Sequence, residues 1–207
     1  MNQILFKKID KKNLLKYKFL LYFSIFFAVV FCIYLLIFHN DINKKEKYSK
    51  SLLNSFNIEK LYSSINNNYT VVELNKNSNY FVMGFIEIDK IDLRYPILSE
   101  LNDELLKISL CRFYGPFPNK IGNLCIAGHN YDDNRFFGNL YKLNTNDIIK
   151  IYDSNNYCVF YYVYDMYETL DSDTSCTSQS TNGNREITLI TCNNKNKKRL
   201  IVKAKEK

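Results

Sequence analysis

The sequence predicts a mainly-β domain: a closed or nearly closed barrel of seven or eight short strands with few helices, behind one N-terminal transmembrane helix. Three observations carry this. The run Phe19–Phe38 is twenty residues without a charge. Between residues 81 and 204, short runs rich in aromatic and β-branched side chains alternate with polar turns, as strands of a barrel do. Only three Pro and six Gly are present, which excludes collagen-like or Gly/Pro low-complexity architecture, and no internal repeat is visible.

A length of 207 residues gives a soft prior of one domain, two at most. With 46% hydrophobic and 24% charged residues the chain is ordinary globular material, and 17 Tyr with 15 Phe supply the bulk for a core. The net charge of +7 is concentrated at the front: Lys7, Lys8, Lys11, Lys12, Lys16 and Lys18 stand against Asp10 alone, leaving +2 for everything after residue 18. A domain that close to neutral has no footprint for DNA or RNA, so nucleic acid is not an expected partner.

The uncharged run decides the topology. At ~1.5 Å rise per residue it spans roughly the 30 Å hydrocarbon core. A cleaved signal peptide has an apolar run of ~7–15 residues and a small-x-small cleavage site. Here the run is longer, and His39-Asn40-Asp41-Ile42-Asn43 offers no such site. Lysines on the N-terminal flank place that end in the cytoplasm. The expected organisation is a basic cytoplasmic segment (1–18), a membrane anchor surrounded by lipid (19–39), an extracellular stalk or N-terminal helix (40–79) and a folded domain (80–207). Leu52, Leu53, Phe56, Leu61 and Ile65 recur at roughly helical spacing within the third segment.

Within the domain, Phe81–Ile88 and Ile91–Leu98 read as strands. Leu101–Leu110 reads as a short helix, closed by the turn Gly115-Pro116-Phe117-Pro118. Further strands follow at Asn123–Gly128, Asp147–Tyr152, Tyr157–Tyr167, Glu186–Cys192 and Leu200–Ala204.

Two strand ends carry chemistry. Ile126-Ala127-Gly128-His129 puts an imidazole just past an apolar strand, and Thr188-Leu189-Ile190-Thr191-Cys192 ends another on a thiol, before the polar run Asn193–Asn196. Arg199 opens the last strand, where Leu200, Val202 and Ala204 share the opposite face. A thiolate needs a nearby cation, an imidazolium can protonate a leaving amine, and a guanidinium can stabilise an oxyanion. The other exported cysteines, Cys111, Cys125, Cys158 and Cys176, form no C-x-x-C pair. Cys125 and Cys158 sit in apolar runs where a thiol acts as a small hydrophobe. With only His39 and His129 in the chain, a zinc site is not expected.

In these residues the chain resembles the sortases, the membrane-anchored cysteine transpeptidases of Gram-positive bacteria. The matching pieces are Ile126–His129, Phe137-Gly138-Asn139-Leu140 with Leu143 and Asp147, Thr188–Cys192, and Arg199 before an apolar strand. Gly84–Ile88, Ile91 and Pro96 also look like the family's opening strands. The resemblance covers about residues 80–205. It implies an eight-stranded sortase-type β-barrel with Cys192 as nucleophile, His129 as acid/base partner and Arg199 steadying the oxyanion or substrate. By the same analogy Ala127, Ile190 and Thr191 would line the substrate groove. The implied reaction cleaves an LPxTG-like signal through a thioacyl-enzyme that an amine resolves. Its implied partners are surface proteins bearing a C-terminal sorting signal and a peptidoglycan precursor or cell-wall peptide amine. No metal or organic cofactor is implied; Glu168, Asp171 and Asp173 are an acidic cluster more in keeping with a solvated loop than with calcium.

Departures from the family pattern bear on subclass. Asn130-Tyr131-Asp132-Asp133 is similar to the class that handles haem-uptake proteins, yet Tyr167–Glu186 is too short for that class's helical insertion. Without an Asp-Pro-aromatic lid or a second hydrophobic span, a single-domain enzyme of class A or D is expected. An L,D-transpeptidase would carry Ser-x-Gly-Cys, and a papain-like peptidase would place Cys before His. A non-catalytic surface module would bury Cys192.

Overall fold

The computed structural model describes residues 11–66, 80–193 and 198–207. The basic residues ahead of Lys11, the end of the stalk and the polar residues 194–196 therefore lie outside the described residues, as do the side chains of Phe56, Leu61 and Ile65. Lys45–Lys207 forms one compact unit and the chain ahead of it another. The first long element, α1, covers Lys11–Asn66. Its stretch from Phe19 to Phe38 exposes its apolar side chains and is long and apolar enough to cross a membrane.

Eight strands close into a barrel in the order β1-β2-β3-β4-β7-β8-β6-β5. They are β1 (Val82–Ile88), β2 (Leu93–Leu98), β3 (Leu110–Tyr114), β4 (Gly122–Ala127), β5 (Ile148–Asp153), β6 (Cys158–Leu170), β7 (Arg185–Asn193) and β8 (Lys198–Glu206). Most neighbours are antiparallel, but β2 with β3 and β4 with β7 are parallel. Turns between them exploit the tolerance of asparagine for left-handed backbone: Asn119, Asn146, Asn156 and Asn182 all take positive φ.

Period-2 alternation sorts the side chains. Ile86, Leu124, Ile126, Ile149, Ile151, Val163, Ile187, Leu189, Val202 and Ala204 fill the barrel interior. The outer face of β1 to β3 is also apolar. There Val82, Phe85, Leu98 and Cys111 are covered by Leu52 and Leu53 of α1 and by Leu105. A third cluster of Cys125, Cys176, Ile190 and Ile201 covers the outer face of β4, β7 and β8. Leu52 and Leu53 of α1 thus pack on the outer face of the barrel.

The expected helix over 101–110 is corrected. Only Asp103–Leu106 is helical, one turn (α2) capped by Asn102 Oδ1 accepting from Leu105 N at 2.9 Å. The chain then becomes β3, pairing Ile97 with Leu110 and Cys111 with Ala127. Leu101, Leu105 and Ile108 imitate a helical stripe, but Leu110 and Cys111 are claimed by the parallel edge of β2. Cys125 is buried as expected, whereas Cys158 is only half-buried.

Candidate active site

The site is built where β4, β7 and β8 run side by side. Cys192, one residue from the end of β7, pairs with Arg199 near the start of β8. Facing residues of an antiparallel pair project to the same side with Cβ atoms roughly 4.5–5.5 Å apart. On the other edge of β7, β4 runs parallel from Gly122 opposite Arg185 to Ala127 opposite Ile190. β4 therefore ends beside the same end of β7 that carries Cys192, and His129 follows two residues past it. Thiol and guanidinium thus stand on facing residues of β7 and β8, and the loop that carries His129 is tied to the same strand end through Asn130.

The loop after β4 is folded tightly. Gly128 has no room for a side chain: a Cβ there would lie 2.4 Å from Leu110 Cδ2 and 2.8 Å from Phe137 Cδ2. The carbonyl of His129 accepts from Phe137 N at 3.0 Å. Phe136 and Phe137 are fully buried, and Phe136 holds a φ of 52°, a strained conformation for an aromatic residue, with its ring edge-on to Tyr95 at 4.9 Å. Arg135 lies over the Tyr131 ring at 4.3 Å.

His129 is half-buried, its ring 5.1 Å from that of Tyr131. Burial holds its pKa below the usual 6.5; Lys107 and Arg135 act in the same direction, and Asp103 opposes them. Burial therefore favours the neutral imidazole over the imidazolium.

Cys192 is exposed, whereas Cys111, Cys125 and Cys176 are buried. Burial pushes the Cys111 and Cys125 thiols up to about 12, out of reach of ionisation at neutral pH. The carbonyl of Cys192 accepts from Asn130 Nδ2 at 2.8 Å, and Thr191 Oγ1 donates to Gly128 O at 2.7 Å.

Arg199 Nε donates to Asp171 Oδ1 at 3.0 Å, which uses one of the five guanidinium N–H donors. Asp171 belongs to the connection between β6 and β7. That connection is pinned by buried Asn123, whose Nδ2 donates to Cys176 O at 2.9 Å and Ser178 O at 3.1 Å. Asp173 accepts from Thr169 Oγ1 and Ser175 N, and Glu168 accepts from Asn193 Nδ2. Each of the three carboxylates thus accepts a hydrogen bond from the protein itself. Among the described residues no group of three or more His, Cys, Asp or Glu is placed to hold a metal ion.

The expected groove residues divide. Ala127 is half-buried at the end of β4. Ile190 is 5% and Thr191 3% exposed, the former in the third apolar cluster and the latter bonded to Gly128, so neither side chain forms an open wall. Asp171 as the partner of Arg199 was not legible in sequence, being 28 residues away with no pattern linking the two. Asn130 was visible in sequence only as the start of the subclass-like run Asn130–Asp133, with no sign of its bond to Cys192.

A family model for the sortase domain matches residues 86–207. The chain belongs to the sortase family. Among solved structures, this sortase is similar to a sortase D5 transpeptidase from Clostridium perfringens, at 27% identity with a TM-score of 0.60, covering 81% of this chain and 99% of that one. It is also similar to a lid mutant of sortase A from Corynebacterium diphtheriae, at 26% identity and a TM-score of 0.57 over 64% of this chain and 73% of that one. Sortase C-1 from Actinomyces oris shares the fold at 23% identity and a TM-score of 0.56, over 61% of this chain and 74% of that one. A comparison with curated protein sequences finds no match. The family implies cysteine transpeptidase activity, and its members act on sorting-signal proteins and cell-wall amines in general.

Proposed function

We propose that this sortase is a single-pass membrane enzyme that cleaves an LPxTG-like sorting signal and transfers the severed protein to a cell-wall amine. The observation that carries the reading is the facing pair Cys192–Arg199 across β7 and β8, with Cys192 exposed and the His129 loop bonded to the Cys192 carbonyl through Asn130.

In this mechanism the neutral imidazole of His129 takes the proton of the Cys192 thiol, and the thiolate attacks the Thr carbonyl of a Thr–Gly-type bond. Arg199 hydrogen-bonds the developing oxyanion or an adjacent substrate carbonyl. As the C–N bond breaks, the imidazolium protonates the leaving amine, and the acyl group stays on sulfur as a thioester. An incoming amine then attacks the thioester, gives a proton to His129 and restores the thiol. The roles use only side chains of the chain itself, with no metal or organic cofactor. Of the groove residues, Ala127 is the one whose exposure suits substrate contact; Ile190 and Thr191 would act from beneath. The short β6–β7 connection supports a class A- or D-like enzyme, while the fold neighbours span classes A, C and D.

The apolar stretch Phe19–Phe38 supports anchoring in the cell membrane, and the lysines before it support a cytoplasmic N-terminus with the barrel outside. Surface proteins with a C-terminal sorting signal are the substrates in this reading. A peptidoglycan precursor or cell-wall peptide is the acceptor. Incubating residues 40–207 with quenched LPxTG-like peptides and candidate amines tests it: amine-dependent ligation supports transpeptidation, whereas absence of any cleavage opposes it.

A further inference from the structure

The parallel ladder between β4 and β7 ends on a side chain. Gly128 N donates to Ile190 O at 3.1 Å. In a parallel ladder the next rung falls two residues on, from position 130 to the carbonyl of Cys192. At that point the chain turns off the sheet, because Asn130 pairs antiparallel with Phe136. Its side chain reaches back to the same carbonyl, Asn130 Nδ2 donating to Cys192 O at 2.8 Å. A carbonyl partner fixes the amide orientation, since only Nδ2 can donate.

We propose that Asn130 is a positioning residue, whose amide holds the His129 loop in register with the strand end that presents Cys192. The inference rests on the proposed roles of those two residues.

His129 lies between two cross-links to β7. The residue before it, Gly128, accepts from Thr191, and the residue after it holds Cys192. The Thr191 bond is buried and the Asn130 bond is at the surface. The first therefore serves packing as well as geometry, while the second adds little to stability. Its consequence is geometric: it ties the loop that carries His129 to the strand end that carries Cys192. A proton shuttled between two side chains on different strands is sensitive to displacements of about 1 Å, which can cost about a hundredfold in rate.

The test uses residues 40–207 with four substitutions: Asn130→Asp, which keeps the shape but cannot donate, Asn130→Leu, which is uncharged and cannot donate, His129→Ala and Cys192→Ala. Turnover of a quenched LPxTG-like peptide is measured together with the pH profile of Cys192 alkylation by iodoacetamide and with melting temperature. Both Asn130 variants are expected to lose about tenfold to a hundredfold in kcat with KM and melting temperature held. The alkylation profile of Asn130→Leu is expected to move toward that of His129→Ala. Wild-type kcat and an unmoved profile in both variants would overturn the proposal while leaving the catalytic reading intact. So would a change in KM alone, or unfolding of both variants, which would make the bond structural. If wild type cleaves no peptide, or Cys192→Ala cleaves as well as wild type, the catalytic reading itself fails and the proposal falls with it.

Discussion

Cys192 and Arg199 are facing partners across β7 and β8, and the guanidinium of Arg199 is turned by Asp171, whose Oδ1 accepts from Nε at 3.0 Å. The thiol and the cation are thus held at one level of the sheet by backbone register. The Asp171 carboxylate is 66% and the Arg199 side chain 26% exposed, so this pair contributes only about 0–1 kcal/mol to stability. Its consequence is orientation of the guanidinium.

Substitutions at Arg199 should therefore act on rate. Arg199→Lys keeps the charge but loses the planar fork, and is expected to lose much of the turnover; Arg199→Ala should lose more, about 10²–10³-fold if an oxyanion donor is removed. Steady-state peptide cleavage checks this, with Lys198→Ala as the control expected to remain near wild type. Equal small effects at both positions would remove Arg199 from the site.

The cysteines should separate by accessibility. Iodoacetamide is expected to label Cys192 in the native domain, and Cys111 and Cys125 only after unfolding, because burial keeps both thiols protonated. Cys125→Ala should cost about 1 kcal/mol in stability and leave cleavage intact. Peptide mapping after native labelling gives the answer directly.

His129 gives stability a pH dependence of defined sign. Burial lowers its folded-state pKa below 6.5, so between the folded and unfolded values the unfolded chain binds more protons. Its contribution is present above about pH 6.5 and is lost as the pH falls toward the lower folded value. Urea midpoints of wild type should therefore drop more steeply between pH 7 and 5 than those of His129→Gln; parallel slopes would show that His129 ionises without penalty.

The N-terminal helix should matter to folding. Leu52 is 1% exposed against Val82, Phe85 and Leu98, so Leu52→Ala should cost about 2–5 kcal/mol. A domain starting at residue 40 is expected to be soluble and active, whereas one starting at residue 80 uncovers that face and should melt lower or aggregate. Thermal denaturation of the two distinguishes them.

Much of this was legible in the sequence because strands announce themselves by composition and period. Seven of the strands, the end of β4 just ahead of His129 and the end of β7 next to Cys192 followed from runs such as Thr188–Cys192. What escaped was tertiary. Leu110–Tyr114 is a strand because β2 and β4 pair with it, a fact its helix-like leucine spacing conceals. The burial of Ile190 depends on Cys176, which a distant loop places over it. Hydrogen bonds from Asn130 to Cys192 and from Arg199 to Asp171 span 62 and 28 residues, distances at which no local pattern survives.

The proposed reaction turns on a thioacyl intermediate at Cys192. Intact-mass analysis of residues 40–207 mixed with an LPxTG-like peptide library tests it most directly. Cleavage at the Thr–Gly bond is expected, with an acyl adduct mapping to Cys192 and its discharge onto an added amine. Cleavage without any adduct, or an adduct retained by Cys192→Ala, would contradict it.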